Sequence, residues 1–332
     1  MDSKRPYQYR ALKQLLTIVC IMALTSCTWV KDERDECLNG FWLRLHYTYN
    51  ILDVEAAQKY VKDADVYVYD ADGQFVKRIH ATLSDLIENG YRVKVEGLTE
   101  GDYQFVVWSG MGNSQYAVTA DTQAMDDFRL SLAGAGSRFS GALPDLYYGY
   151  KSTVHYDDSY ALYDVELMKN TNQLSCLVVS VSDQQELEAN DYSMKVVAAN
   201  STMDARNRIV SGTETIYESF DQGVAVIDDP EYGELHGLKF NIMTLRLMSN
   251  SDSRLILEKK STDQTLFNIS FTEYIGMIGS FYTAIGRPLT AQEYLDRQDF
   301  YTIVFFLSDD LDQLIQLQVN SWRLRSNNHL KL

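Results

Sequence analysis

Along most of the chain, apolar and polar residues alternate with a period of two, as in strands that turn one face to a core. Phe41, Leu43, Leu45, Tyr47 and Tyr49 share one face, and Arg44, His46 and Thr48 the other. Residues 64–70 repeat the pattern. With Asp72-Gly73 behind them and residues 74–79 beyond, they predict a hairpin closed by a type I′ turn. Residues 91–96 and 103–108 predict a second hairpin across 98–102. After the Gly- and Ser-rich residues 133–141 come Leu146-Tyr147-Tyr148-Gly149-Tyr150 and an alternating strand through Val165 and Leu167. The polar Lys169-Asn170-Thr171-Asn172 then precedes an apolar run at 174–181, which places a domain boundary near Asn170. Further strands are expected at 194–198, 244–248, 254–258, 267–271, 301–307 and 315–324. Two helices interrupt them: Thr290-Ala291-Gln292-Glu293 has the form of a capping box ahead of 294–298, and 271–285 carries aromatic and aliphatic residues suited to packing on a sheet. Short strands at this spacing predict an all-β fold, mainly β-sandwich with few short helices.

The N-terminus has a different pattern. Lys4, Arg5, Arg10 and Lys13 precede a ten-residue apolar run, 15–24, that leads directly into Leu24-Thr25-Ser26-Cys27. This is the order of a bacterial signal peptide, and the run is about half of the ~20 residues a membrane-spanning helix needs. Leu-Thr-Ser-Cys resembles a lipobox, so residues 1–26 are expected to be removed and Cys27 to carry the lipid, with palmitate-type acyl chains holding the protein in a membrane. Residues 27–37 would form the lipidated tether. Within it, Lys31-Asp32-Glu33 resembles the acidic signal that sends Bacteroidetes-type lipoproteins to the surface of the outer membrane; a solvated charged tether is the alternative.

Composition narrows the function. A formal charge of −16 argues against nucleic acid as a partner, because a phosphate backbone would be repelled. Setting aside Cys20 and Cys27 leaves Cys37 and Cys176; an exported location permits a disulfide between them, the alternative being two separate thiols. No catalytic constellation stands out, and no enzyme, cofactor or metal is expected. His46, His80, His155, His236 and His329 fall in different strands or loops, outside any zinc or nucleophile motif. The acidic groups Asp70/Asp72, Asp157/Asp158, Asp228/Asp229 and Asp309/Asp310/Asp312 lack calcium-loop spacing, and Asp70-Ala71-Asp72-Gly73 reads as turn chemistry. Tyr67, Tyr69, Tyr147, Tyr148 and Tyr150 would form either a solvent-facing aromatic surface or the inner side of a sandwich or domain interface.

The ordered set of segments resembles one family over nearly the whole mature chain. The segments are Cys27 with its acidic tether and Cys37; 43–50; 66–75; 98–108 with Gly101-Asp102-Tyr103; 146–149; 167–172; 244–247; 293–297; and Asn320-Ser321-Trp322. Together they resemble the FimB-type fimbrial anchor lipoproteins, the fimbrillin-A associated anchor proteins of Bacteroidales. The resemblance implies two tandem transthyretin-like β-sandwich domains, 38–170 and 171–332. It further implies an outer-membrane lipoprotein that holds the base of a fimbria, limits its length and binds fimbrillin subunits. A departure at Ala199-Asn200-Ser201-Thr202-Met203-Asp204, where the family has an Asn-Gly turn, puts local contacts there in question. Subunits of this kind join by strand addition, and the C-terminal strand expected at 315–324, or the edge it borders, is the expected contact. A surface glycan-binding or adhesin lipoprotein, using exposed aromatic rings as stacking platforms, is the second reading.

Overall fold

The computed structural model describes residues 40–331 except 113–114, 120–123, 134–135, 182–187, 211, 213, 280, 283–284 and 309–312; the side chains of residues 313 and 324–331 are also outside the description. The first ten strands are β1 (Phe41–His46), β2 (Ala64–Asp70), β3 (Phe75–Ala81), β4 (Arg92–Val95), β5 (Gly101–Ser109), β6 (Tyr116–Val118), β7 (Arg129–Leu132), β8 (Arg138–Ser140), β9 (Tyr147–Tyr156) and β10 (Ala161–Lys169). Then come β11 (Thr171–Ser180), β12 (Tyr192–Ala198), β13 (Thr202–Asp204), β14 (Thr215–Glu218), β15 (Asp221–Asp229) and β16 (Gly233–Leu245). The last are β17 (Arg254–Lys259), β18 (Gln264–Ser270), β19 (Phe300–Leu307), β20 (Gln313–Val319) and β21 (Trp322–Lys331). The α-helices are α1 (Ala57–Tyr60), α2 (Leu83–Glu88), α3 (Phe271–Gly279) and α4 (Ala291–Arg297). The protein is mainly β, as its alternation predicts. Among the described residues, no helix is long and apolar enough to cross a membrane.

Among the described residues the strands form four sheets, ordered β3-β2-β5-β9-β10-β1-β4, β15-β16-β11-β19-β20-β21, β18-β17-β12-β14-β8 and β13-β7-β6. In the first, β1 runs parallel to β10 and antiparallel to β4. Alternation there has a consequence beyond a half-buried strand, because both faces of the sheet are covered. Val66 and Val68 of β2 join Phe41, Leu43, Leu45, Phe105 and Val107 in one core. Tyr67 and Tyr69 point the other way, into a larger core that runs on through Trp108, Leu174, Cys176, Phe240, Ile242 and Phe305. Asn170 separates β10 from β11, and strands cross that point: β8 pairs with β14, and β7 with β13.

Three local expectations are corrected. The β2–β3 connection is not type I′, which needs positive φ at both central residues. Of the turn residues only Gly73 has positive φ (+77°), its N–H donates to the Asp70 carbonyl, and Asp70 Oδ1 accepts from the amides of Asp72 and Gln74. This is a type I turn with Gly73 in the left-handed position. The predicted hairpin of 91–96 with 103–108 does not form: β4 pairs with β1 at one edge, while β5 lies between β2 and β9. Alternation identifies a strand but carries no information on its neighbour. Finally, 315–324 is not one strand. It turns at Asn320, whose φ is +53°, so that Val319 faces Trp322 across a two-residue connection.

Both expected helix sites are helical, at α4 and α3, although α3 ends at Gly279. The Thr290 hydroxyl accepts from the Glu293 amide at 3.1 Å. The reciprocal half of the capping box is absent because the Glu293 carboxylate is taken by Arg287 (2.7 and 2.8 Å) and Arg297 (3.1 Å). A complete capping box closes α2 instead, between Thr82 and Asp85.

Candidate functional site

The predicted lipid site Cys27 and the tether cysteine Cys37 lie outside the described residues. Cys176 is fully buried in β11, and burial pushes its thiol pKa well up. The tyrosines singled out above do not form an exposed face. Tyr67, Tyr69 and Tyr147 are 1% exposed and Tyr148 9%, while Tyr150 packs against the larger core with its hydroxyl donating to Gln104. The histidines remain apart, each beside a carboxylate: His46 by Glu55 and Asp164, His80 by Asp65, His155 by Asp102 and His236 by Glu234. The side chain of His329 and the group Asp309/Asp310/Asp312 are outside the description. Among the described residues no His, Cys, Asp and Glu side chains gather as a metal site.

Five of the segments quoted for the family resemblance, 43–50, 167–172, 244–247, 293–297 and 320–322, are linked by side-chain contacts. From α4, Arg297 donates to the Asn50 carbonyl (3.2 Å) and Asp53 Oδ1 (3.0 Å), and its guanidinium lies 4.2 Å above the Tyr49 ring. The preceding residue, Asp296, accepts two parallel bonds from Arg246 (both 2.8 Å), and Arg246 also reaches the Asn207 carbonyl (2.7 Å). Such a two-pronged pair is among the stronger charge-assisted contacts. Asn170 and Asn207 exchange side-chain amide bonds at 2.6 and 3.0 Å in a buried position. Asn320 uses its side chain to accept from the Thr302 amide and donate to the Tyr294 hydroxyl.

The segment that departs from the family pattern is tied down as well. Asn200, 4% exposed, donates to the Leu245 and Arg246 carbonyls and accepts from Tyr217, while Asp204 caps the amides of Arg206 and Arg208. Polar residues inside otherwise apolar runs, such as Arg246 between Leu245 and Leu247, were the available signal for this junction. Periodicity alone passes over them.

A cavity of about 250 Å³ opens beside the junction, lined by Tyr47, Leu52, Val54, Glu55, Lys59, Tyr60, Tyr147, Arg297 and Asp299, among others. Behind it, Lys169 bridges Asp145 (2.8 Å) and Asp299 (2.7 Å). Burial opposes the charge on Lys169, but the two carboxylates outweigh it and hold the ammonium pKa up. Burial, then Asp299 and Asp145, push the Tyr47 phenol well above its ordinary range, so it stays protonated.

The sheet edges differ in how they are guarded. Exposed strand edges are usually blunted by shortness, bulges, proline or charge. Among the described residues, β4, β6, β8 and β13 have three or four residues each. The ladders of β3, β18 and β21 contain register shifts, and Lys77, Arg78 and Arg323 stand on β3 and β21. By contrast, β15 pairs with β16 over nine residues without a shift. Its middle, 222–227, has no charge or proline, and Val224 and Val226 are 62% and 54% exposed.

Comparison with known proteins agrees with this arrangement. Among solved structures, a candidate polysaccharide-binding protein from Bacteroides thetaiotaomicron VPI-5482 is 26% identical with a TM-score of 0.74, covering 88% of this chain and 99% of its own. A candidate adhesin from the same organism is 24% identical with a TM-score of 0.76, covering 89% and 100%. The fimbrial anchor protein Mfa2 from Porphyromonas gingivalis shares the fold at 16% identity and a TM-score of 0.63, covering 87% and 100%. Among curated proteins, no relative matches the chain. The family model for fimbrillin-A associated anchor proteins Mfa1 and Mfa2 matches residues 34–328, and the chain belongs to that family.

Proposed function

We propose that the protein is an outer-membrane lipoprotein that anchors a fimbria at the cell surface and limits its length by holding a fimbrillin subunit, without catalysing a reaction. In this reading residues 1–26 are removed on export, Cys27 carries the lipid, and residues 27–37 tether two transthyretin-like sandwich modules that meet at Asn170. The observation that carries the reading is the family match together with one long edge strand, β15, whose nine-residue ladder has no register shift and which suits an extended segment joined through main-chain hydrogen bonds. The bulged, arginine-bearing β21 is the less suited end of the same sheet. Tyr67, Tyr69, Tyr147 and Tyr148 are buried and Tyr150 is half-buried, so these five do not form a glycan-stacking surface.

Two comparisons test it. In a Cys27→Ala strain, fractionation and electron microscopy should find fimbriae shed into the medium; fimbriae that stay on the cells would sink the anchor reading. In a Val224→Lys/Val226→Lys strain the lipoprotein should remain in the membrane fraction while fimbriae are released, whereas deletion of residues 322–332 should release fewer. The reverse order would move the contact to β21.

A further inference from the structure

We infer that the cavity beside the junction is a receptor for a single basic side chain, lysine or arginine, presented by a neighbouring protein chain. Its parts differ in exposure and polarity. Leu52 and Val54, 69% and 52% exposed, form an apolar lip that no packing in the fold requires. Tyr47, Tyr60 and Tyr147 form the wall, with Tyr47 meeting the other two edge-on at 6.2 and 5.1 Å between ring centroids. Tyr47 is 4% exposed, and among the described residues its hydroxyl has no hydrogen-bond partner.

Two carboxylates stand beside Tyr47, Asp299 on the cavity lining and Asp145 next to it, with side chains 37% and 42% exposed. Asp145 spends one oxygen on Lys169 and the other on the Tyr147 hydroxyl. Asp299 gives Oδ2 to the same ammonium, and its Oδ1 is unengaged among the described residues. Two carboxylates thus share one cation. The remaining charged groups at the cavity are committed: Glu55 accepts from His46 and from the amides of Tyr47 and Ala57, Arg297 is paired with Asp53 and Glu293, and Lys59 stands over the outer ring of Tyr60 at 4.8 Å. An apolar stem ending in a cation matches the apolar lip, the aromatic wall and the acceptor oxygens of Tyr47 and Asp299. A sugar fits less well, because Lys59 occupies a face of Tyr60 and the other rings meet edge to face.

The place in the fold points to a protein as the source. Gly40, from which the chain continues toward the predicted lipid, and Tyr47 lie at opposite ends of β1, about 23 Å apart at ~3.3 Å per residue. Only the naming of that chain as a neighbouring subunit rests on the anchor reading. Titration of the cavity and release of fimbriae by β15 variants fail independently.

The test is calorimetric titration of the full-length lipoprotein in detergent with Nα-acetyl-lysine N-methylamide, with the norleucine analogue, which keeps the stem but lacks the charge, and with methyl hexopyranosides. The lysine probe should bind about tenfold or more tightly than norleucine. Tyr47→Phe, which keeps the ring, should weaken it about fivefold, and Asp299→Asn should abolish the preference over norleucine. Equal binding of norleucine, stronger binding of a hexopyranoside, or no saturation by the lysine probe at tens of millimolar would each overturn the inference.

Discussion

Arg297 lies with its guanidinium 4.2 Å above the ring of Tyr49, so a helix near the end of the chain is seated on a residue just beyond its first described strand. Around that contact Arg297 is 9% exposed and bonded to Asn50, Asp53 and Glu293. Arg297→Ala removes these bonds and the stacking on Tyr49, while Glu293 keeps Arg287 and the Asn50 carbonyl keeps the Asp53 amide, and should cost about 1–3 kcal/mol in urea unfolding. Arg297→Lys should recover less than half of the loss, because an ammonium cannot stack and fork at once. Full recovery would show that charge alone matters.

Asn170 and Asn207 offer a neutral counterpart. Removing one amide orphans the other in a buried site, so Asn170→Ala should cost about 1–3 kcal/mol. In a double-mutant cycle Asn207→Gly, chosen because Asn207 has φ +57°, should then add little; additive losses would mean that each residue acts through other neighbours.

Gly110 has φ +90°, and a Cβ there would run into the carbonyl oxygen of Asp145. Backbone cannot step aside as a side chain can. Gly110→Ala should therefore cost more than about 3 kcal/mol, read as a fall in the urea midpoint; a midpoint near that of the parent protein would contradict the close approach.

Acid should weaken the fold. The hydrogen bond from Arg287 lowers the Glu293 pKa, and the bond from Arg44 lowers that of Asp164. Below their unfolded values, about 3.9–4.3, the unfolded chain binds more protons than the folded one. The stabilisation is therefore complete above that range and is lost as pH falls through the folded pKa values. Urea midpoints at pH 7, 5 and 3.5 should stay level over the first step and drop over the second. Glu293→Gln should flatten the drop.

Strands were legible because two faces of unequal polarity leave a period of two, as in Phe41, Leu43 and Leu45. Pairing was not, since nothing within 92–95 says that its neighbour is β1 rather than β5. The Asn320-Ser321 break was hidden for another reason: asparagine tolerates positive φ, yet an apolar run on one side and Trp322 on the other read as one strand. The junction was legible as motifs whose residues could be named but not joined. Arg246 and Asp296, or Asn170 and Asn207, meet only after the strands between them have folded. The cavity depends on Tyr47, an inward position by alternation, whose ring packs as expected while its hydroxyl reaches a place that periodicity cannot foresee.

The position of β1 between a parallel β10 and an antiparallel β4 also has a mechanical meaning. Tension applied at Gly40 along the strand meets the rungs from Phe41 to His46 together, in shear, with ladders on both flanks. A terminal strand on a sheet margin would instead peel, one rung at a time. The same few residues that begin the fold thus give it a grip against traction from the N-terminal side.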